Sequence, residues 1–114
     1  MPISTSVAVL TATIANGATL SDVVDLGASA VCGMILPTLT GTTLSIQGCD
    51  TSGGTYATLK DINGTAATIT VATVGAGAYL YLDPLMTAGW QYIKLLSQAA
   101  EGSARSIKLL IRPV

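Results

Sequence analysis

The chain has no histidine and no phenylalanine, a single tryptophan, two cysteines, and only 10% charged residues in 114. Each scarcity excludes something. Without histidine the commonest general base and the commonest metal ligand are missing, and Ser-His-Asp and Cys-His nucleophile systems are ruled out. Cys32 and Cys49 alone fall short of a zinc site, which takes four ligands. No metal, other cofactor or enzymatic activity is therefore expected. The two thiols read as small buried hydrophobes, joined by a disulfide only if their Cα atoms come within about 7 Å.

Charge is scarce against the roughly 25% of an ordinary soluble domain. A lone monomer with so few charges is poorly solvated, so part of the surface is expected to be covered by other chains, as in a homo-oligomer. The net charge is −1. Lys60 faces Asp22, Asp25, Asp50, Asp61 and Asp83 in residues 1–93, whereas Lys94, Arg105, Lys108 and Arg112 face Glu101 in residues 94–114. The result is one positive end on a weakly acidic body. Four cations without a basic tail do not make a nucleic-acid protein. The charge-free stretch 27–49 is broken by Gly33, Pro37 and Gly41 and is too short in apolar run for a membrane span of about 20 residues. The N-terminus shows no charged leader region, so the chain is expected to be soluble and cytosolic when made.

What is abundant is threonine and alanine, sixteen of each. β-Branched side chains suit a pleated sheet. At this length one domain, residues 1–114, is expected. Residues 3–15 alternate, with Leu10, Ala12 and Ile14 on one face; Asn16-Gly17 then predicts a hairpin, with both turn residues at positive φ, into a strand over 18–26. Further strands are expected at 31–36, 43–48, 56–60, 67–74 and 78–82, with tight turns at Asn63-Gly64 and at 75–77. There is no amphipathic helix of useful length. Eight or nine short strands separated by turn residues give an all-β fold, an antiparallel β-sandwich of jelly-roll-like form.

The stretch Leu82–Gln98 holds Trp90 and Tyr92. Asp83-Pro84 reads as a turn or single helical turn ended by Gly89. The strand that follows puts Ile93 and Leu95 on one face and Tyr92, Lys94 and Leu96 on the other. The final run, RSIKLLIR, is its expected partner, with Ile107, Leu109 and Ile111 opposite Lys108, Leu110 and Arg112. The outward row Tyr92, Lys94, Leu96, Lys108, Leu110 and Arg112 is then one patch of aromatic and aliphatic groups framed by cations. It either forms a protein interface or only covers the edge of the sandwich. Trp90 has the parity of that row, but at the strand's start it could equally fill the core.

Asp22 and Asp25, three apart in an extended segment, point to opposite faces and read as turn-capping or solvated groups rather than an acid–base pair. In DTSGGTY (50–56), Asp50 is placed to accept turn amides and Gly53-Gly54 to allow left-handed backbone; one carboxylate is too little for a calcium cage. Asn63-Gly64-Thr65 matches a glycosylation acceptor, but with no secretion signal it reads as a turn.

Three segments, ATIANGATLSDVVDLG (12–27), LSIQGCDTSGGTYATL (44–59) and LDPLMTAGWQYIKLLS with RSIKLLIRPV, resemble the small β-sandwich virion proteins of tailed bacteriophages and prophages. Such chains similarly run from a "DLG" segment to a glycine-rich turn before an aromatic, an "LDP" segment and an "LRPV"-like end; here Thr51-Ser52 interrupts the turn motif. The resemblance implies a structural role in the virion, assembled in the host cytoplasm, as a decoration or cement protein on the major capsid protein. The alternatives are a carbohydrate-binding sandwich for host-surface recognition, resting on Trp90 and the tyrosines at 56, 79, 81 and 92, and a head–tail or tail adaptor.

Overall fold

Alternating apolar side chains build nine strands, and the computed structural model describes residues 8–71 and 77–113. They are β1 (Ala8–Ile14), β2 (Val24–Asp25), β3 (Ser29–Ile35), β4 (Thr43–Cys49), β5 (Ala57–Thr58), β6 (Thr68–Thr70), β7 (Tyr79–Tyr81), β8 (Tyr92–Ser97) and β9 (Arg105–Pro113). The parts of the expected strands at 3–7 and 72–74, and most of the turn at 75–77, lie outside the described residues. One sheet has the order β1-β9-β3-β7 and the other β2-β8-β4-β5, with β6 also on β4; every pairing is antiparallel. The chain is all-β, a two-sheet antiparallel sandwich.

β5 and β6 run in the same direction along the same edge of β4, pairing with its second and first halves respectively. They are one edge strand, interrupted by an extruded hairpin closed by the Lys60↔Ala66 bridge. Counted so, the first strand pairs with the last, the second with the next to last, and so on inward. That is a long hairpin ribbon wound into two sheets, the connectivity of a jelly roll.

This winding corrects two expected pairings. β8 and β9 are not partners: β8 lies between β2 and β4, and β9 between β1 and β3, in opposite sheets. Nor does the segment after Asn16-Gly17 form a full hairpin with β1. Only Gly17 takes positive φ (81°), and with Ala18 N–H donating to Ala15 O at 3.0 Å the turn is of the type II class rather than the expected hairpin type. The chain bridges β8 at Leu20↔Leu96 and β1 at Ile14↔Ser21, where Asp22 N–H also donates to Thr13 O at 3.1 Å, and then pairs with β8 as β2. Side chains stand in for ladder groups at this corner: Leu95 N–H donates to Ser21 Oγ (2.9 Å) and Thr13 N–H to Asp22 Oδ1 (2.9 Å). A continuous strand over 18–26 is therefore replaced by the two-residue β2.

The inner faces follow the sequence parity. Ile14, Met34, Leu44, Ile46, Ile93, Leu95, Ile107 and Leu109 are all at most 1% exposed. Truncating one such leucine to alanine costs about 2–5 kcal/mol. No aromatic residue belongs to this core among the described residues; aliphatic side chains alone fill it, and the aromatics are left for the surface. The expected helical turn is present as a 3₁₀ turn, Pro84–Met86. It lies on the crossing from β7 to β8, and Thr87 Oγ1 fastens that crossing to β3 by accepting Val31 N–H at 2.8 Å, beside the bulge between Val31 and Gly33.

Candidate functional site

The six residues expected to form one patch are divided between two surfaces. Tyr92, Lys94 and Leu96 face outward from β8, and Lys108, Leu110 and Arg112 face outward from β9, on the opposite side of the sandwich. The expectation of a single positive patch failed with the expected β8–β9 pairing, while each row's own parity is as expected. On the β8 side, Lys94 Nζ sits 4.5 Å from the centroid of the Tyr56 ring, a cation–π contact.

The β9 row belongs to a wider surface. Register places Tyr81, Gly33, Leu110 and Val9 in one transverse line across the sheet, and Tyr79, Ile35, Lys108 and Thr11 in the next. Tyr81 is 92% exposed, Tyr79 78% and Val9 53%. Leu110 leans over Gly33, where an added Cβ would come 3.1 Å from its Cδ1. The four strands of this sheet contain no Asp or Glu. The exposed charges on this face are Lys108 and Arg112, since Arg105, farther along β9, is paired with Glu101. The strands of this face present apolar and aromatic groups with positive charge only, and the Asp22 carboxylate sits at the β1 edge on Thr13 N–H. Tyr79 and Tyr81 are legible in the sequence only as sugar-stacking candidates and not as members of this patch, because the parity of a three-residue strand is a weak signal.

A second feature is a cleft of about 490 Å³ where the chain crosses from β7 to β8. The extruded hairpin (Leu59, Lys60, Asp61, Thr65, Ala66, Ala67) forms one wall and Asp83, Met86 and Trp90 the other, over Gly48. Trp90 is 40% exposed, so it lines this cleft instead of filling the core. The hairpin is set by Asp61, whose Oδ1 accepts the N–H groups of Asn63 and Thr65 at 2.9 Å each, and by Gly64 at φ 82°. This is a type I turn closed by a left-handed glycine. Ile62 at its tip is fully exposed.

Glu101, counted in the sequence only as a charge, is the buried ionic centre of the opposite connections. Its carboxylate accepts Thr40 N–H (2.8 Å), Gly41 N–H (3.1 Å), Ser97 Oγ–H (2.7 Å) and Arg105 Nε–H (3.1 Å). Burial by itself raises its pKa, but the hydrogen bonds from Thr40, Ser97, Gly41 and Arg105 outweigh that and hold it at about 2. Its backbone also bonds to Gly17 and Ala18. Three loops thus meet at one residue that had no local sequence signature, the 40–41 loop and its own connection through the carboxylate and the 17–18 turn through the backbone.

The remaining candidates behave structurally. Asp25 Oδ1 accepts Gly27 N–H at 2.8 Å, a turn-capping role like that of Asp22 at the corner. In the 50–56 loop, Gly54 N–H goes to Thr51 O rather than to Asp50, and neither Gly53 nor Gly54 has positive φ. Gly54 is needed for space, since a Cβ there would lie 2.5 Å from Cys49 Sγ. Cys32 and Cys49 are free thiols on opposite sheets, Cys49 buried and Cys32 only half-buried. No group of three or more metal-ligating side chains occurs among the described residues. Compared with protein families, curated proteins and solved structures, the chain matches none.

Proposed function

We propose that this chain is a structural protein of a tailed-bacteriophage virion, a decoration or cement protein that docks on the major capsid protein through the outer face of the β1-β9-β3-β7 sheet. The observation that carries the reading is that face itself. Two exposed tyrosines on the edge strand β7 share the face with Ile35, Leu110 and, at the far edge, Val9, with Lys108 and Arg112 and no carboxylate on the strands. Tyrosine offers a large amphipathic contact at small entropic cost, and interface centres are enriched in aromatics and depleted in acidic groups. The cations Lys108 and Arg112, on the inner strand β9, steer the face towards an acidic partner. The resemblance of the 12–27, 44–59, 82–97 and 105–114 segments to phage virion chains supports the same reading. The jelly roll, an architecture used by viral shell domains, agrees by analogy of fold alone.

On this reading the protein is made in the host cytoplasm and adds to the head after the shell has formed. Electron microscopy of particles assembled with and without the chain tests it. Extra density on the capsid exterior, in contact with the shell through the Tyr79–Tyr81 face, is expected. Density at the tail or fibre base alone would overturn the decoration role.

A further inference from the structure

We propose that the cleft beside Trp90 is a binding site for a neutral saccharide, with one sugar ring stacked on the indole and its hydroxyls meeting the polar rim. The cleft's volume, about 490 Å³, falls within the range of small-molecule sites. Its apolar surface comes from Trp90, Met86 and Leu59, and its rim from Lys60, Asp61 and Asp83. A pyranose has the matching chemistry: a C–H face that packs on an aromatic plane and an edge of hydroxyls that both donate and accept.

The platform is built before any ligand arrives. Gly48 lets the ring lie against β4, because a Cβ there would come 3.1 Å from Trp90 Cδ2 and 2.6 Å from Leu59 Cδ2. Trp90 N–H donates to Thr87 O at 3.0 Å, and Thr87 is itself tied to β3 through Val31. Across the cleft, two amide bonds on Oδ1 fix the Asp61 carboxylate. Ordering that is already complete does not subtract from binding energy. Two carboxylates against one ammonium make the rim unsuited to phosphate or another anion, and the rim's charged groups make it unsuited to a purely apolar ligand.

This site is separate from the proposed docking face, and its test needs no capsid, so either proposal can fail without the other. Trp90 is the only tryptophan, which makes its fluorescence a local reporter. The isolated chain is titrated with maltotriose, cellotriose and triacetylchitotriose while fluorescence and amide NMR shifts are followed. At least one is expected to give a saturable change with a millimolar dissociation constant and shifts confined to Gly48, 58–61, 65–67 and 86–90. Trp90→Ala should weaken binding by about tenfold or more, and Trp90→Tyr should retain most of it. The proposal is overturned if none of the three changes either signal up to about 50 mM, if the shifts fall elsewhere, if a folded Trp90→Ala binds as well as the wild type, or if inorganic phosphate binds at these amides more tightly than the sugars. Should Trp90→Ala not fold, the wild-type shift map decides.

Discussion

Trp90 lies across Gly48, and the absence of a side chain at Gly48 is what lets the indole rest on β4. A methyl group there would overlap Leu59 Cδ2 at 2.6 Å and crowd Trp90 Cδ2 at 3.1 Å. Gly48→Ala is therefore expected to destabilise the fold by about 1–3 kcal/mol through overpacking and to shift the tryptophan emission as the ring is displaced. Chemical denaturation followed by that emission checks both effects; unchanged stability with unchanged emission would contradict the packing described.

The Glu101 clasp makes stability depend on acid. The folded-state pKa of about 2 lies below the ordinary value of 4.5, so the folded state favours the ionised form. The associated stability is fully present above about pH 4.5 and is lost as pH falls towards 2, on the order of 3 kcal/mol in all. Glu101→Gln keeps the size but turns an NH2 either towards Thr40 N–H and Arg105 or towards Gly41 N–H and Ser97. The variant is expected to lose about 2–4 kcal/mol at neutral pH and to show a flatter stability profile between about pH 4.5 and 2. Urea titrations at several pH values measure this.

With only 10% charged residues and an exposed aromatic face, the protein is expected to self-associate. Sedimentation at micromolar concentration should show a species larger than 11.5 kDa. A monomer alone would contradict this expectation.

Lys108 and Arg112 supply orientation more than affinity in the docking reading. Reversing both to Glu is expected to slow capsid association and to invert its salt dependence while leaving the melting temperature nearly unchanged. Association at the wild-type rate in both low and high salt would remove the electrostatic part of the account.

The sequence made the strand positions and their inward faces legible, and left their partners hidden. Ile93 and Leu95, or Ile107, Leu109 and Ile111, announce a buried face by parity alone, and all five are buried. Adjacency in sequence was the wrong guide to adjacency in space. In a jelly roll β1 pairs with β9 and β2 with β8, so partners come from opposite ends of the chain. The Asn-Gly signals marked real turns, but a turn does not say whether the next segment returns to the same sheet. Gly64 closes a hairpin, whereas Gly17 opens a crossing. The proposed docking face was half legible, through Lys108, Leu110 and Arg112; its tyrosines sit on the short edge strand β7. The clasp was not legible at all, because Glu101 meets Thr40 and Gly41 about sixty residues away in sequence.

Binding of the purified chain to capsids that lack it, measured by co-sedimentation, tests the central claim most directly. The double variant Tyr79→Ser/Tyr81→Ser is expected to weaken binding by about a hundredfold, consistent with the loss of two aromatic anchors at about 1–2 kcal/mol each. Its melting temperature should be unchanged, because both rings project from the sandwich. Lys94→Glu, on the opposite sheet, should bind like the wild type. Undiminished binding by the tyrosine variant, or loss of binding by Lys94→Glu alone, would contradict the assignment of the β1-β9-β3-β7 face as the capsid-docking surface.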